Sequence, residues 1–155
     1  MSTRLDYANS ILYGISAKHI SRLQCMQNNL AWVVTDKWYT DSSPSILKEL
    51  HWLLPIDARV QFKIATLTFK ALNTGNPPYL ASLLHQHTPY RTLQSPSANL
   101  LSVTRCNLPF GTRGFRTAAP TIWNSLPANV RSSATLSTFR RHLKSHLFQS
   151  SFPTA

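Results

Sequence analysis

The stretch Ile56-Asp57-Ala58-Arg59-Val60-Gln61-Phe62-Lys63-Ile64-Ala65-Thr66-Leu67-Thr68-Phe69-Lys70-Ala71-Leu72 decides the fold. Val60, Ile64, Leu67 and Ala71 recur every three or four positions, which places them on one side of an α-helix. Pro55 separates this helix from what precedes it, and Asn73-Thr74-Gly75 ends it, because glycine accepts the left-handed conformation that closes a helix.

Working towards the amino terminus, Ser43-Pro44 is an N-cap and first-turn pair. It opens a short helix through Ile46, Leu47 and Leu50 to Trp52. Before it, Ser16 caps a helix whose apolar positions Ile20, Leu23, Met26, Leu30, Val33 and Val34 keep the helical period. Leu5, Ala8, Ile11 and Leu12 give a short first helix that stops at Gly14. Towards the carboxy terminus, Asn76 and Pro77 restart the chain as a helix through Tyr79, Leu80, Leu83 and Leu84. Polar residues from Gln86 to Asn99 then break it. Leu101 and Val103 alternate as in a strand, and Gly111 and Gly114 flank Arg113 in a turn, which suggests a short hairpin. Ala118 to Ser125 forms one or two helical turns before Pro127, and a final helix runs from Leu136 to Gln149.

The expected fold class is therefore mainly α: a small helical bundle, an irregular segment with a short hairpin, and a C-terminal amphipathic helix. Three regions are expected within one loose domain: helical over 1–85, polar and irregular over 86–117, and basic and helical over 118–155. A length of 155 residues with 43% apolar content suffices for one core. Ten prolines against four glycines point to helices broken by irregular stretches.

The longest apolar runs, such as Ala31 to Val34 and Trp52 to Leu54, fall far short of the roughly 18 residues that span a bilayer. Met1 to Ser16 lacks the apolar core of a signal peptide. Cys25 and Cys106 have no CxxC neighbour, so no zinc knuckle is read. They can pair with each other or stay free, and free thiols fit the expected intracellular location, nucleus or cytoplasm, of a chain that is not secreted.

Charge is distributed unevenly. Asp6, Asp36, Asp41, Glu49 and Asp57 are the only acids, and five basic residues balance them over the same 57 positions. From Ala58 onward there are eleven Lys or Arg and no acid. A neutral front and a purely cationic back favour a polyanionic partner, most simply nucleic acid. Charge of this kind is blind to sequence and also suits acidic membranes.

Enzymatic chemistry finds little support. Polynucleotide synthesis needs paired carboxylates holding two metals about 4 Å apart, and no two acids are adjacent here. Asp36 and Asp41 flank the Trp38–Tyr39 junction as ordinary loop acids. His142 and His146 share a helix face, but Leu143 stands where HExxH needs its glutamate and no acid is near to complete a site. His85 and His87 sit at a helix end, where they suit the dipole. There is no G-x-S-x-G elbow and no Walker loop. Neither a metal nor a cofactor is expected. Trp52, Phe62, Phe69, Tyr79 and Trp123 fall within apolar helical patterns and are expected as core anchors rather than base-stacking groups.

A series of phrases occurs in order along the chain. It begins with Arg4-Leu5-Asp6-Tyr7, Asn9-Ser10, Tyr13-Gly14, Arg22-Leu23-Gln24, Gln27-Asn28 and Leu47-Lys48-Glu49-Leu50-His51-Trp52. It continues with Phe62-Lys63-Ile64, Thr68-Phe69-Lys70-Ala71-Leu72, Pro77-Pro78-Tyr79-Leu80 and Gly114-Phe115-Arg116. Ala118-Ala119-Pro120, Trp123-Asn124-Ser125-Leu126-Pro127, Phe139, Leu143-Lys144 and Leu147-Phe148 complete it. Taken together these resemble the region that follows the polymerase in LINE-class (non-LTR) retrotransposon reverse transcriptases. The sequence departs from that pattern at Ala8, at Trp32 and at Leu53-Leu54.

The resemblance covers nearly the whole chain and implies that Met1 begins inside a longer frame, with endonuclease and polymerase upstream. The family's catalytic residues have no positions here. The expected function is a non-catalytic C-terminal tail that contacts RNA or DNA non-specifically through phosphates. Arg105, Arg113, Arg116, Arg131, Arg140, Arg141 and Lys144 are the candidate contacts, and no membrane partner is expected. The alternatives are an interaction module docking on the upstream polymerase region, or a translated remnant of the element without cellular function.

Overall fold

The computed structural model of the chain describes residues 9–36, 45–47, 55–88, 99–108 and 110–152. The protein is mainly α-helical. A 3-10 turn over Asn9–Leu12 leads into α1 (Ala17–Thr35), and α2 (Ile56–Thr74) is followed by the single turn α3 (Pro78–Ala81). A 3-10 turn at Gly111–Arg113 leads into α4 (Phe115–Ser125), which is followed by α5 (Ala128–Arg131) and α6 (Leu136–Ser151). Residues 45–47 are helical, while the rest of the helix expected over 44–52 lies outside the described residues, as does the start of the first helix.

The central element is α2, against which α4, α6, α3, α1 and the first 3-10 turn all pack. That arrangement explains how its surface departs from one apolar stripe. Val60, Ile64 and Ala71 are buried as expected, but so are Ala58, Ala65, Thr66, Thr68 and Phe69, while Leu67 is only half-buried. Neighbours on several sides bury more than one face. The two buried threonines are tolerated because each hydroxyl donates to the carbonyl four residues back: Thr66 to Phe62 at 2.7 Å and Thr68 to Ile64 at 2.8 Å. Gly75 ends the helix at φ +66° with its N–H donating to the Ala71 carbonyl.

Aromatic stacking joins the helices. Phe69 of α2 lies 4.3 Å, centroid to centroid, from Phe139 of α6 and 6.4 Å from Trp123 of α4, and Trp123 and Phe139 are 5.8 Å apart. Their geometry falls in the range where aromatic pairs attract beyond simple burial. Leu143 and Leu147 extend the α6 contribution at four-residue spacing. The Thr135 hydroxyl caps this helix by accepting from the Thr138 N–H.

The strand-like alternation at Leu101 and Val103 is realised as one antiparallel bridge between Gln86 and Leu101. His87 N–H donates to Leu100 at 2.9 Å and Ser102 N–H to His85 at 2.8 Å. The turn at Arg113 does not fold a strand back. It feeds α4, which starts three residues before the expected Ala118 because Gly114 serves as its N-cap. Pro120 therefore falls inside the helix, fully buried, without the N–H that would bond to the Arg116 carbonyl.

Tyr79 is not a core anchor: 69% of it is exposed on α3. A helix of one turn buries none of its own residues completely, and the core beside it is filled by Leu80 and Leu84. Phe62 is partly buried, Phe69 and Trp123 are buried, and Trp52 lies outside the described residues. No described helix is long and apolar enough to cross a membrane. Cys25 and Cys106 are free thiols.

Candidate nucleic-acid interface

On α6, Phe139, Leu143 and Leu147 face the core, and Arg140, Arg141 and Lys144 are exposed. At about 100° per residue, Arg140 and Lys144 lie on one flank of that buried stripe and Arg141 points furthest from it. His142 falls about 200° round from Arg140, with its Nδ1 3.4 Å from the Ser133 hydroxyl, and His146 shares that opposite flank. The histidines and the cations of this helix therefore occupy separate surfaces.

A second group surrounds the turn before α4. Arg105 is exposed in irregular chain, Arg113 ends the 3-10 turn, and Arg116 is exposed in the first turn of the helix. Arg113 lies against Gly14, where φ is +70° and an added Cβ would approach the Arg113 Cγ to 2.8 Å. This contact ties the arginine stem to the link between the first 3-10 turn and α1.

Arg131 differs from the other six candidates. It is half-buried, its Nε donates to the Leu126 carbonyl at 3.1 Å, and its Nη1 lies 3.4 Å from the Asn99 carbonyl. Its guanidinium holds a turn and a neighbouring segment in place, which leaves less of it for an external phosphate.

No family model, curated protein or solved structure matches the chain.

The described carboxylates are Asp36 and Asp57. Asp36 closes α1 at φ +51°, while Asp57 opens α2 and accepts from Gln61 at 2.8 Å. An acid in a first turn complements the positive end of the helix. Among the described residues no cluster of three or more His, Cys, Asp or Glu is placed to hold a metal.

The segment Trp123-Asn124-Ser125-Leu126 proves to be a structural clamp. The Trp123 indole N–H donates to the Asn99 carbonyl at 2.7 Å, and the Asn124 amide bonds to both the N–H and the C=O of Leu101. Leu126 supplies the carbonyl that Arg131 holds. Periodicity carries no trace of the Trp123 and Asn124 contacts, which join residues more than 20 positions apart. The one sequence signal is an amide directly after a buried tryptophan.

A further surface lies on α1, where Met26, Val33 and Val34 are exposed while Gln24 and Gln27 turn inward. Gln24 Oε1 accepts from the Ile56 N–H at 3.0 Å, and Gln27 is buried. The inward side of α1 is therefore mixed, with Gln27 and Ala31 buried, while Met26, Val33 and Val34 of the expected apolar stripe face outward.

Proposed function

We propose that this chain is a non-catalytic helical module of the kind that follows the polymerase in non-LTR retrotransposon proteins, and that it holds RNA or DNA through phosphates. The observation that carries the nucleic-acid part is charge: eleven Lys or Arg and no acid from Ala58 to the end. Among the described residues the six candidates Arg105, Arg113, Arg116, Arg140, Arg141 and Lys144 are exposed, as are Lys63 and Lys70. Cations without nearby carboxylates gain most from a partner that brings its own negative charge. Arg140 and Lys144, four positions apart on one helix, repel each other by about 0.2–0.5 kcal/mol, a conflict that a bound phosphate relieves.

The test is binding of the full chain to duplex DNA and to RNA over a series of salt concentrations. With four or five phosphate contacts the log–log slope is expected near −4. A slope near zero, or no binding at low salt, overturns the proposal.

A second reading rests on the outward Met26, Val33 and Val34 of α1, an apolar face suited to docking on a larger protein such as the upstream polymerase region. Under that reading the basic charge is merely solvated, and binding to nucleic acid is weak at physiological salt.

A further inference from the structure

Phe110 is 82% exposed, the highest exposure among the large apolar side chains of the described residues. The described residues on either side of it are joined by backbone hydrogen bonds. Thr112 N–H donates to the Leu108 carbonyl at 3.3 Å, Arg113 N–H to Phe110 at 3.2 Å, and Gly114 N–H to Gly111 at 3.2 Å. The Cys106 sulfur occupies the space beside Gly111 where any side chain would intrude. Gly111 is thus closely packed, while Phe110 beside it stays exposed.

The company Phe110 keeps distinguishes it from the other exposed apolar groups. Arg105, Arg113 and Arg116 lie within six positions of it, all exposed, and no acid occurs in this half of the chain. An apolar protein partner gives nothing to three arginines. An anionic partner with flat apolar faces satisfies both chemistries, and unpaired nucleobases joined by phosphates have that composition. A duplex presents phosphates but keeps its base faces stacked inside, whereas a single strand exposes them.

We propose that Phe110 is a base-stacking platform, with Arg105, Arg113 and Arg116 holding the flanking phosphates, and that the surface selects single-stranded RNA or DNA over duplex. This rests on the nucleic-acid reading above and adds the strandedness of the ligand and the residue that reads it.

The test measures fluorescence anisotropy of the full chain with labelled oligothymidylate of about 16 nucleotides, longer than most single-strand sites. An abasic strand and a duplex of equal length serve as comparisons. The wild type is expected to prefer the oligothymidylate to both. Phe110→Ala should weaken that complex at least about fivefold while leaving abasic and duplex binding nearly unchanged, and Phe110→Trp should restore it. Helicity by circular dichroism should not change, since Phe110 lies outside the core. If Phe110→Ala binds the oligothymidylate as the wild type does, while Gln at 140, 141 and 144 abolishes binding, phosphate contact stands and stacking is overturned. If the wild type binds no strand at any salt, both proposals fall. Phe110-dependent binding to phosphatidylserine vesicles in place of any oligonucleotide also overturns stacking and assigns the patch to membranes.

Discussion

The side-chain amide of Asn124 closes both backbone hydrogen bonds of Leu101, accepting from its N–H at 2.9 Å and donating to its carbonyl at 2.8 Å. In the antiparallel bridge with Gln86, the hydrogen bonds come from the residues flanking Leu101, so its own N–H and C=O point away from that partner. Asn124 takes the place of a third strand. Asn124→Leu leaves both groups unpaired and is expected to destabilise the fold by about 2–3 kcal/mol in urea unfolding. Asn124→Asp keeps the acceptor but sets a carboxylate against the Leu101 carbonyl, and should be worse than the leucine variant at neutral pH. Wild-type stability in either would remove this role.

The stacked ring of Phe139 between helices predicts a large truncation cost. Phe139→Ala should lose about 3–5 kcal/mol, and Phe139→Leu, which keeps most of the volume, considerably less. Thermal unfolding followed by circular dichroism gives the comparison. A loss of less than about 1 kcal/mol for the alanine variant would place the side chain outside a well-packed core.

Two glycines with positive φ should respond differently to alanine. At Gly75 (φ +66°) nothing lies within 4 Å of an added Cβ, so Gly75→Ala carries only the left-handed strain of about 1–2 kcal/mol. At Gly14 (φ +70°) the Cβ also meets the Arg113 Cγ at 2.8 Å, so Gly14→Ala should cost more and displace that arginine. Gly14→Ala is therefore expected to weaken nucleic-acid binding as well, whereas Gly75→Ala leaves it intact. Equal behaviour of the two in both measurements contradicts the contact.

The separation of charges around α6 gives a test of the phosphate surface. Replacing Arg140, Arg141 and Lys144 with Gln should flatten the salt slope by about 2–3 at unchanged helicity. Replacing His142 and His146 with Gln, on the opposite flank, should leave both affinity and slope as they are. Equal losses in the two variants would mean that the ligand wraps the helix rather than following one flank.

The outward face of α1 makes the converse stability prediction. Met26→Ser and Val33→Ser should change unfolding by no more than about 0.5 kcal/mol, because neither side chain is packed. Any tendency to self-associate, measured by sedimentation, should fall. A marked loss of stability would show that these residues are covered in solution.

The long helices were legible because each carries at least one apolar stripe and a recognisable end: Ser16 before α1, Gly75 after α2, and the Leu136-Phe139-Leu143-Leu147 series of α6. Periodicity did not reveal that α2 is covered on several sides, since one stripe is the minimum a helix needs and says nothing of further neighbours. Four residues are too few to display a period, so α5 has no signature in the sequence and nothing there shows that Tyr79 on α3 faces solvent. Of the candidate site, charge marks the seven cations as candidates but does not tell Arg131, which bonds to the Leu126 and Asn99 carbonyls, from the exposed Arg140. Phe110 escaped because it belongs to no periodic segment, and its exposure depends on how the turn around Gly111 folds.

Phe69, Trp123 and Phe139 come from three different helices, and Phe139 is the last of them in the chain. A chain that lacks α6 has no third ring for Phe69 and Trp123 to stack against, so both are left as apolar surface. A product that stops before Phe139 retains the cationic turn at Arg113 but not the aromatic stack, and is expected to aggregate or be degraded rather than compete for ligand. Whether a shortened copy persists is therefore expected to depend on the presence of the last helix rather than on the cationic turn.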